Sequence, residues 1–119
     1  KNLFFRNHKG DRHYLVCFDS ERSLAIRDLE ARLRQGKLTF ASPERMERWL
    51  GLRPGSVSPF GLINDPAHHV HVFFDIRMRD WPRYAFHPND NRATVLIEHD
   101  EFMRYLAAVG NSYEFIELY

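Results

Sequence analysis

The sequence predicts a single α/β (α+β) domain in which helices pack against one mixed, curved sheet. Three observations support this. The chain has 119 residues, which suits one hydrophobic core. Short runs rich in β-branched and aromatic residues alternate with segments whose apolar residues recur at helical spacing. Tight-turn residues follow the first of these runs, so at least one strand pair must be antiparallel.

The elements follow in chain order. Lys1 to Arg6 is a short apolar strand. Asn7-His8-Lys9-Gly10-Asp11 has hairpin-turn chemistry, with Gly10 able to take positive φ. Arg12 to Asp19 is the returning strand, with Tyr14, Val16 and Phe18. A helix with the stripe Ile26, Leu29 and Leu33 runs to about Gln35 and stops at Gly36. Its start is open between a Ser23 cap and Arg27. Leu38 to Phe40 is a brief strand. Ser42-Pro43-Glu44 then sets a cap, a proline at the first helical position and an acid at the positive end of the dipole. That helix carries Met46, Trp49 and Leu50 and stops at Gly51. Arg53 to Asp65, RPGSVSPFGLIND, shows no helical or strand period, yet its Val57, Phe60, Leu62 and Ile63 call for burial. His69 to Asp75, Tyr84 to Phe86 and Arg92 to Glu98 are strands, the first placing Val70, Val72 and Phe74 on one side. Asp100 caps a helix with Phe102, Leu106 and Val109 that ends at Gly110, and Tyr113 to Leu118 is the last strand.

Apolar residues are 44% and charged residues 28% of the chain, ordinary for a globular protein. A net charge of +1 neither demands nor excludes a nucleic-acid partner, so any basic patch is local. Cys17 is the one cysteine. No internal disulfide is available, which fits a reducing, cytoplasmic compartment. No stretch approaches the ~20 apolar residues of a membrane span, and no signal peptide is visible. The sequence opens directly on a strand at Lys1, so a preceding N-terminal segment is expected.

Four constellations invite chemistry. Cys17 reads as a nucleophile awaiting a histidine or, more simply, as a small buried apolar residue. His68, His69 and His71 suggest a metal, but a strand places His68 opposite the other two. No CxxC or HExxH supplies the remaining ligands, so histidines at an exposed strand start are the simpler reading and no metal or cofactor is expected. Arg45, Arg48 and Arg53 with Lys37, and Arg77, Arg79 and Arg83 with Trp81 and Tyr84, read equally as a single-stranded nucleic-acid surface or as solvated loops. FHPNDN, from Phe86 to Asn91, reads as a proton donor at His87 or as an Asx turn with an incidental histidine.

In combination these pieces are more specific. Lys1-Asn2 at the head of a strand, FASPERM before a helix, Gly55-x-x-x-Pro59 within PGSVSPFGLIND, and FHPNDN followed by Thr94 occur in one order. This set resembles the YbaK-like prolyl-tRNA editing family, above all its free-standing ProX-type members related to the insertion domain of bacterial prolyl-tRNA synthetases. The resemblance implies a mostly antiparallel, barrel-like curved sheet and an esterase that removes alanine from misacylated proline tRNA in trans. Its partner would be the acceptor end of that aminoacyl-tRNA.

Carried over by position, the resemblance assigns catalytic roles to Lys1, Asn2, Gly55 and His87. It assigns substrate contacts to Ser56, Val57, Ser58, Pro59, Phe60, Asn91 and Thr94. Gly55 would admit substrate close to the backbone, Pro59 would stiffen the loop, and the amides of Ser56, Val57 and Ser58 would face a carbonyl oxygen that gains charge. Val57, Phe60 and Leu62 would anchor the loop from beneath. The family's segment before the lysine strand helps shape the amino-acid pocket; the sequence begins after it, so the amino acid removed is not read residue by residue. Two other functions stay open: a tRNA-binding module without catalysis, and an editing deacylase for another amino acid such as cysteine. The oligomeric state is not legible.

Overall fold

The computed structural model describes residues 1–19, 21–86 and 93–119. Strand β1 (Asn2–Asn7) and strand β2 (His13–Cys17) form the expected antiparallel hairpin, with Phe4 opposite Leu15 and Asn2 opposite Cys17. The Asn7 side-chain oxygen accepts from the amides of Asp11 and Arg12 at 3.1 and 3.2 Å, and Gly10 takes φ +75°. Helix α1 (Ile26–Leu33), strand β3 (Leu38–Phe40) and helix α2 (Pro43–Leu50) follow. Strand β4 (Val70–Asp75) lies parallel to β2. Strands β5 (Arg83–Phe86) and β6 (Val95–Glu98) pair with each other as a separate antiparallel ribbon. Helix α3 (His99–Val109) leads to strand β7 (Tyr113–Ile116), parallel to β4. The main sheet is mixed and runs β3-β1-β2-β4-β7.

Several boundaries differ from the sequence reading. Helix α1 stops at Leu33 because Arg34, not Gly36, takes the left-handed cap, at φ +55°. Ile26 in its stripe is exposed, whereas Leu29 and Leu33 are buried. Helix α3 begins with Glu98 at the cap position and no side-chain cap; Asp100 lies inside its first turn, where its charge still favours the dipole. β7 ends at Ile116, and the Leu118 amide donates to the Asp75 carboxylate at 3.3 Å. Asp75 also caps a short 3-10 turn over Ile76–Asp80 that has no clear sequence signal.

The sheet separates two cores by side-chain parity. Phe4, Leu15, Cys17, Val70, Val72 and Phe74 face one side, covered by Met46 and Leu50 of α2, Phe102 and Leu106 of α3, Leu62 of the loop, and Tyr84 and Phe86 of the ribbon. Phe5, Tyr14, Val16 and Phe73 face the other, covered by Leu29 and Leu33 of α1 and by Leu118. The first side is where the loop from Arg53 to Asp65 must sit.

At the start of β2, His13 is buried beneath α2. Its Nδ1 lies 2.8 Å from His69 Nε2 and its Nε2 lies 3.2 Å from Arg45 Nη1. A guanidinium only donates, so His13 Nε2 accepts and its Nδ1 carries the proton given to His69. Burial, reinforced by His69 and the neighbouring arginines, lowers the His13 pKa from 6.5 to about 4. The unfolded chain therefore binds more protons between these values. The contribution of His13 to stability is complete above pH 6.5 and is lost as pH falls toward 4. Denaturant titrations across this window should show stability falling by up to ~1.4 kcal/mol per pH unit from this group. The slope should flatten in His13→Phe; an equal slope in the variant would refute the assignment.

Candidate functional site

The loop after α2 is built from local rules. Gly51 ends the helix at φ +65°. Pro54 and Gly55 then occupy the centre of a turn closed by the Ser56 amide on the Arg53 carbonyl at 3.0 Å. Gly55 stands at φ +88°, the requirement of the third position of a type II turn. Ser58 accepts from the Phe60 amide at 3.3 Å and caps a 3-10 turn over Pro59–Asn64. The second half of the loop is thus regular, contrary to the reading of its sequence. Ile63, expected to be buried, is 59% exposed.

Contacts from four directions fix the loop. Leu62 is buried in the core. At Gly61 a Cβ would stand 2.8 Å from the Leu50 carbonyl oxygen, so only glycine fits. Tyr105 of α3 donates its hydroxyl to the Pro59 carbonyl at 2.8 Å. Asn2 of β1 donates its side-chain amide to the Val57 carbonyl at 3.1 Å. At the far end, buried Asp65 accepts from the Val70 amide at 2.8 Å and from Asn111 Nδ2 at 2.9 Å.

These contacts leave a cavity of about 370 Å³ between the loop, the end of β1 and the ribbon. Lys1, Asn2, Gly55, Val57 and Thr94 line it together with Ala85 and Phe86. A smaller cavity of about 140 Å³ adjoins it, sharing Lys1, Asn2, Ala85 and Phe86, and is closed by Phe18, Asp19, Met78 and Trp81. Two larger hollows lie elsewhere: about 750 Å³ between α1 and the C-terminal segment, and about 490 Å³ beside His13, His69 and His71.

The structure distributes the candidate residues unevenly. Lys1, Asn2, Gly55, Val57 and Thr94 meet at one cavity, with Lys1 Nζ 5.9 Å from the centre of the Phe18 ring. Ser56, Ser58, Pro59 and Phe60 form the underside of the loop. The Ser56 amide and the Ser58 hydroxyl are engaged within the loop, and Phe60 turns its ring onto Phe86 and Tyr105 at 5.8 and 5.5 Å. The Ser56 amide therefore does not face the cavity as expected, which leaves those of Val57 and Ser58. His87 and Asn91 lie outside the described residues. Trp81, read in the sequence only as part of a basic-aromatic stretch, lines the smaller cavity, and Tyr105, Ala85 and Asp19 carry no spacing signal in the sequence.

Cys17 and the histidine run resolve into packing and local hydrogen bonds. Cys17 is fully buried, and burial pushes its thiol up to about 12. The three neighbouring histidines diverge. His68 lies beside Gly110, His69 stacks on Trp49 at 3.7 Å, and His71 contacts Ser112 at 2.6 Å and Glu114 at 2.9 Å. His69 and His71 are thus half-buried and partnered, not merely surface residues. Among the described residues no three His, Cys, Asp or Glu side chains gather closely enough to hold a metal ion. Of the basic-aromatic stretch, Tyr84 is buried with its hydroxyl on the Met78 carbonyl at 2.6 Å, and Arg77 pairs with Asp75. Tyr84 therefore offers no stacking face. Among the described residues no helix is long and apolar enough to cross a membrane.

Comparison with known proteins identifies the family. The family model described as the aminoacyl-tRNA editing domain matches residues 1–105. The prolyl-tRNA editing protein ProX of Acetoanaerobium sticklandii is 41% identical over 118 residues, covering 99% of this chain and 72% of that protein. A prolyl-tRNA synthetase associated domain-containing protein of Danio rerio is 32% identical over 108 residues, covering 89% of this chain and 58% of that protein. The fold is also that of a solved structure described as a candidate trans-editing enzyme for prolyl-tRNA synthetase. The match has a TM-score of 0.70 at 24% identity and covers 98% of this chain and 68% of that one.

Two outcomes test the site's construction. Tyr105→Phe should cost about 1 kcal/mol in stability and speed amide hydrogen exchange between Gly55 and Phe60; unchanged exchange there would mean the hydroxyl does not hold the loop. Cys17 should resist alkylation in the folded protein at pH 8 and react on unfolding. Rapid labelling of the native chain would restore the nucleophile reading.

Proposed function

The chain belongs to the aminoacyl-tRNA editing domain family, and on that premise we propose that it hydrolyses the ester of misacylated tRNA in trans, with alanyl-tRNA for proline as its substrate. The observation that carries this reading is the convergence of Lys1, Asn2, Gly55, Val57 and Thr94 on one cavity from three separate parts of the chain.

The chemistry asks little of side chains. An aminoacyl ester is already activated, so a positioned water attacks its carbonyl carbon, the carbonyl oxygen gains charge, and the ribose oxygen leaves. Fixed backbone amides beside that oxygen stabilise the charge without reorganising. The Asn2–Val57 bond and the Tyr105–Pro59 bond hold the loop that would present them. The neighbouring ribose hydroxyl of the tRNA orients the water, and holding both reactants in place supplies much of the acceleration. Lys1 adds a cation for the acceptor-end phosphate or the substrate oxygens. His87, placed by resemblance beside the same pocket, would contact the substrate there. Selection is steric: a pocket that takes alanine but excludes the proline ring acts as the second sieve, which is needed because small apolar side chains differ by only ~1–3 kcal/mol in binding. A role in translation places the protein in the cytoplasm.

Deacylation of a panel of aminoacyl-tRNAs is the direct test. Alanyl-tRNA for proline should be cleared fastest and prolyl-tRNA spared; no turnover of any member would remove the enzyme reading. Gly55→Ala should lower kcat/KM tenfold or more with a small change in Tm, because φ +88° is strained for any residue with a Cβ. Lys1→Ala should lower activity and reduce its dependence on salt. Near-wild-type kinetics in Gly55→Ala would take the loop out of the reaction.

A further inference from the structure

Beyond the cavity assigned to the ester, the smaller adjoining one has a chemistry of its own. Its walls are largely apolar: Met78 and Phe86 are buried and Trp81 is half-buried, with Lys1 and Asn2 on the side shared with the larger cavity. Asp19 is the one carboxylate among the described residues lining either cavity. Asp19 lies two residues beyond the end of β2 at Cys17 and lines the smaller cavity. The Phe18 amide bonds the Lys1 carbonyl at 2.9 Å, so pairing reaches one residue past β2, to Phe18. One carboxylate oxygen, Oδ1, accepts from the Glu21 amide at 3.0 Å, which fixes the group. Arg22 lies on the next turn, its guanidinium over the Tyr119 ring at 4.7 Å.

A small apolar cavity with one fixed carboxylate and an indole wall suits a small organic cation, through a charge-assisted hydrogen bond and the face of the ring. We propose that Asp19 anchors the α-ammonium of the aminoacyl ester, with the short side chain among Met78, Trp81 and Phe86 and the ester carbonyl in the larger cavity beside Gly55 and Val57. This rests on the deacylase reading. Asp19 is thereby a substrate-binding residue that distinguishes a free aminoacyl end from an N-blocked one.

The experiment compares alanyl-tRNA with N-acetyl-alanyl-tRNA, which lacks the ammonium, in the wild-type chain and in Asp19→Asn. Asparagine keeps an oxygen for the Glu21 amide, so the turn is preserved, and a melting curve checks it. Wild type should cleave alanyl-tRNA roughly tenfold or more faster than the acetylated form in kcat/KM. Asp19→Asn should lose that preference, falling on alanyl-tRNA and staying level on the acetylated form. Equal losses on both substrates, or no loss on alanyl-tRNA, would overturn the proposal. Binding of 3′-alanylamino-3′-deoxyadenosine, a stable amide analogue, gives a readout independent of turnover. Weaker binding in Asp19→Asn alongside unchanged binding of its N-acetyl form supports the anchor even if no ester is cleaved, in which case only the deacylase reading fails. Equal binding of the analogue by both proteins overturns the anchor.

Discussion

The buried carboxylate of Asp65 is the interaction on which the site's geometry depends. It accepts from the first amide of β4 and from Asn111 just beyond α3, while Asn111 also donates to the Val70 carbonyl at 2.9 Å. A buried carboxyl group needs donors for its oxygens, and here the donors come from two other segments. The end of the loop, the start of the central parallel strand and the exit of the last helix are therefore held as one unit. Everything the loop presents toward β1 and the ribbon is positioned from this point.

The loop itself shows why an apolar sequence can be irregular without being loose. Pro54, Gly55, Ser58 and Pro59 dictate a turn and a capped 3-10 segment, each by its own backbone preference. Leu62 then supplies burial, and Gly61 permits contact with the Leu50 carbonyl. Polar bonds from Asn2 and Tyr105 hold the Val57 and Pro59 carbonyls. Such a loop is held in shape by its own contacts.

The two ends of the central strands have different work. At one end of β2, Cys17 lies opposite Asn2, and the cavities open beside them. At the other, His13 lies between Arg45 and His69, with Trp49 stacked on His69. Both ends carry residues that catalysis elsewhere uses. Only the first has the fixed loop and the paired cavities. Histidine and arginine at the second serve to join α2 to the sheet, and the proton content of His13 follows from that burial.

Local chemistry by itself determined most of the fold. The Asn7 turn, the Leu38–Phe40 strand, the Ser42-Pro43 helix start and the glycine stops at Gly51 and Gly110 are short-range preferences, so a linear reading finds them. The candidate site residues were readable only through a resemblance, carried by Lys1-Asn2, FASPERM, the Gly55–Pro59 loop and FHPNDN with Thr94. Tertiary structure decided what depends on contacts between distant segments. It set Arg34 as the end of α1, turned Ile63 outward, and directed Ser56, Ser58 and Phe60 under the loop when their partners became available. It also brought Asp19 to the cavities beside Trp81 and Ala85, from two segments that no spacing in the sequence connects. The physical reason is that a cap or a turn is settled within a few residues, whereas a cavity wall is settled only when the two faces of a sheet have been covered.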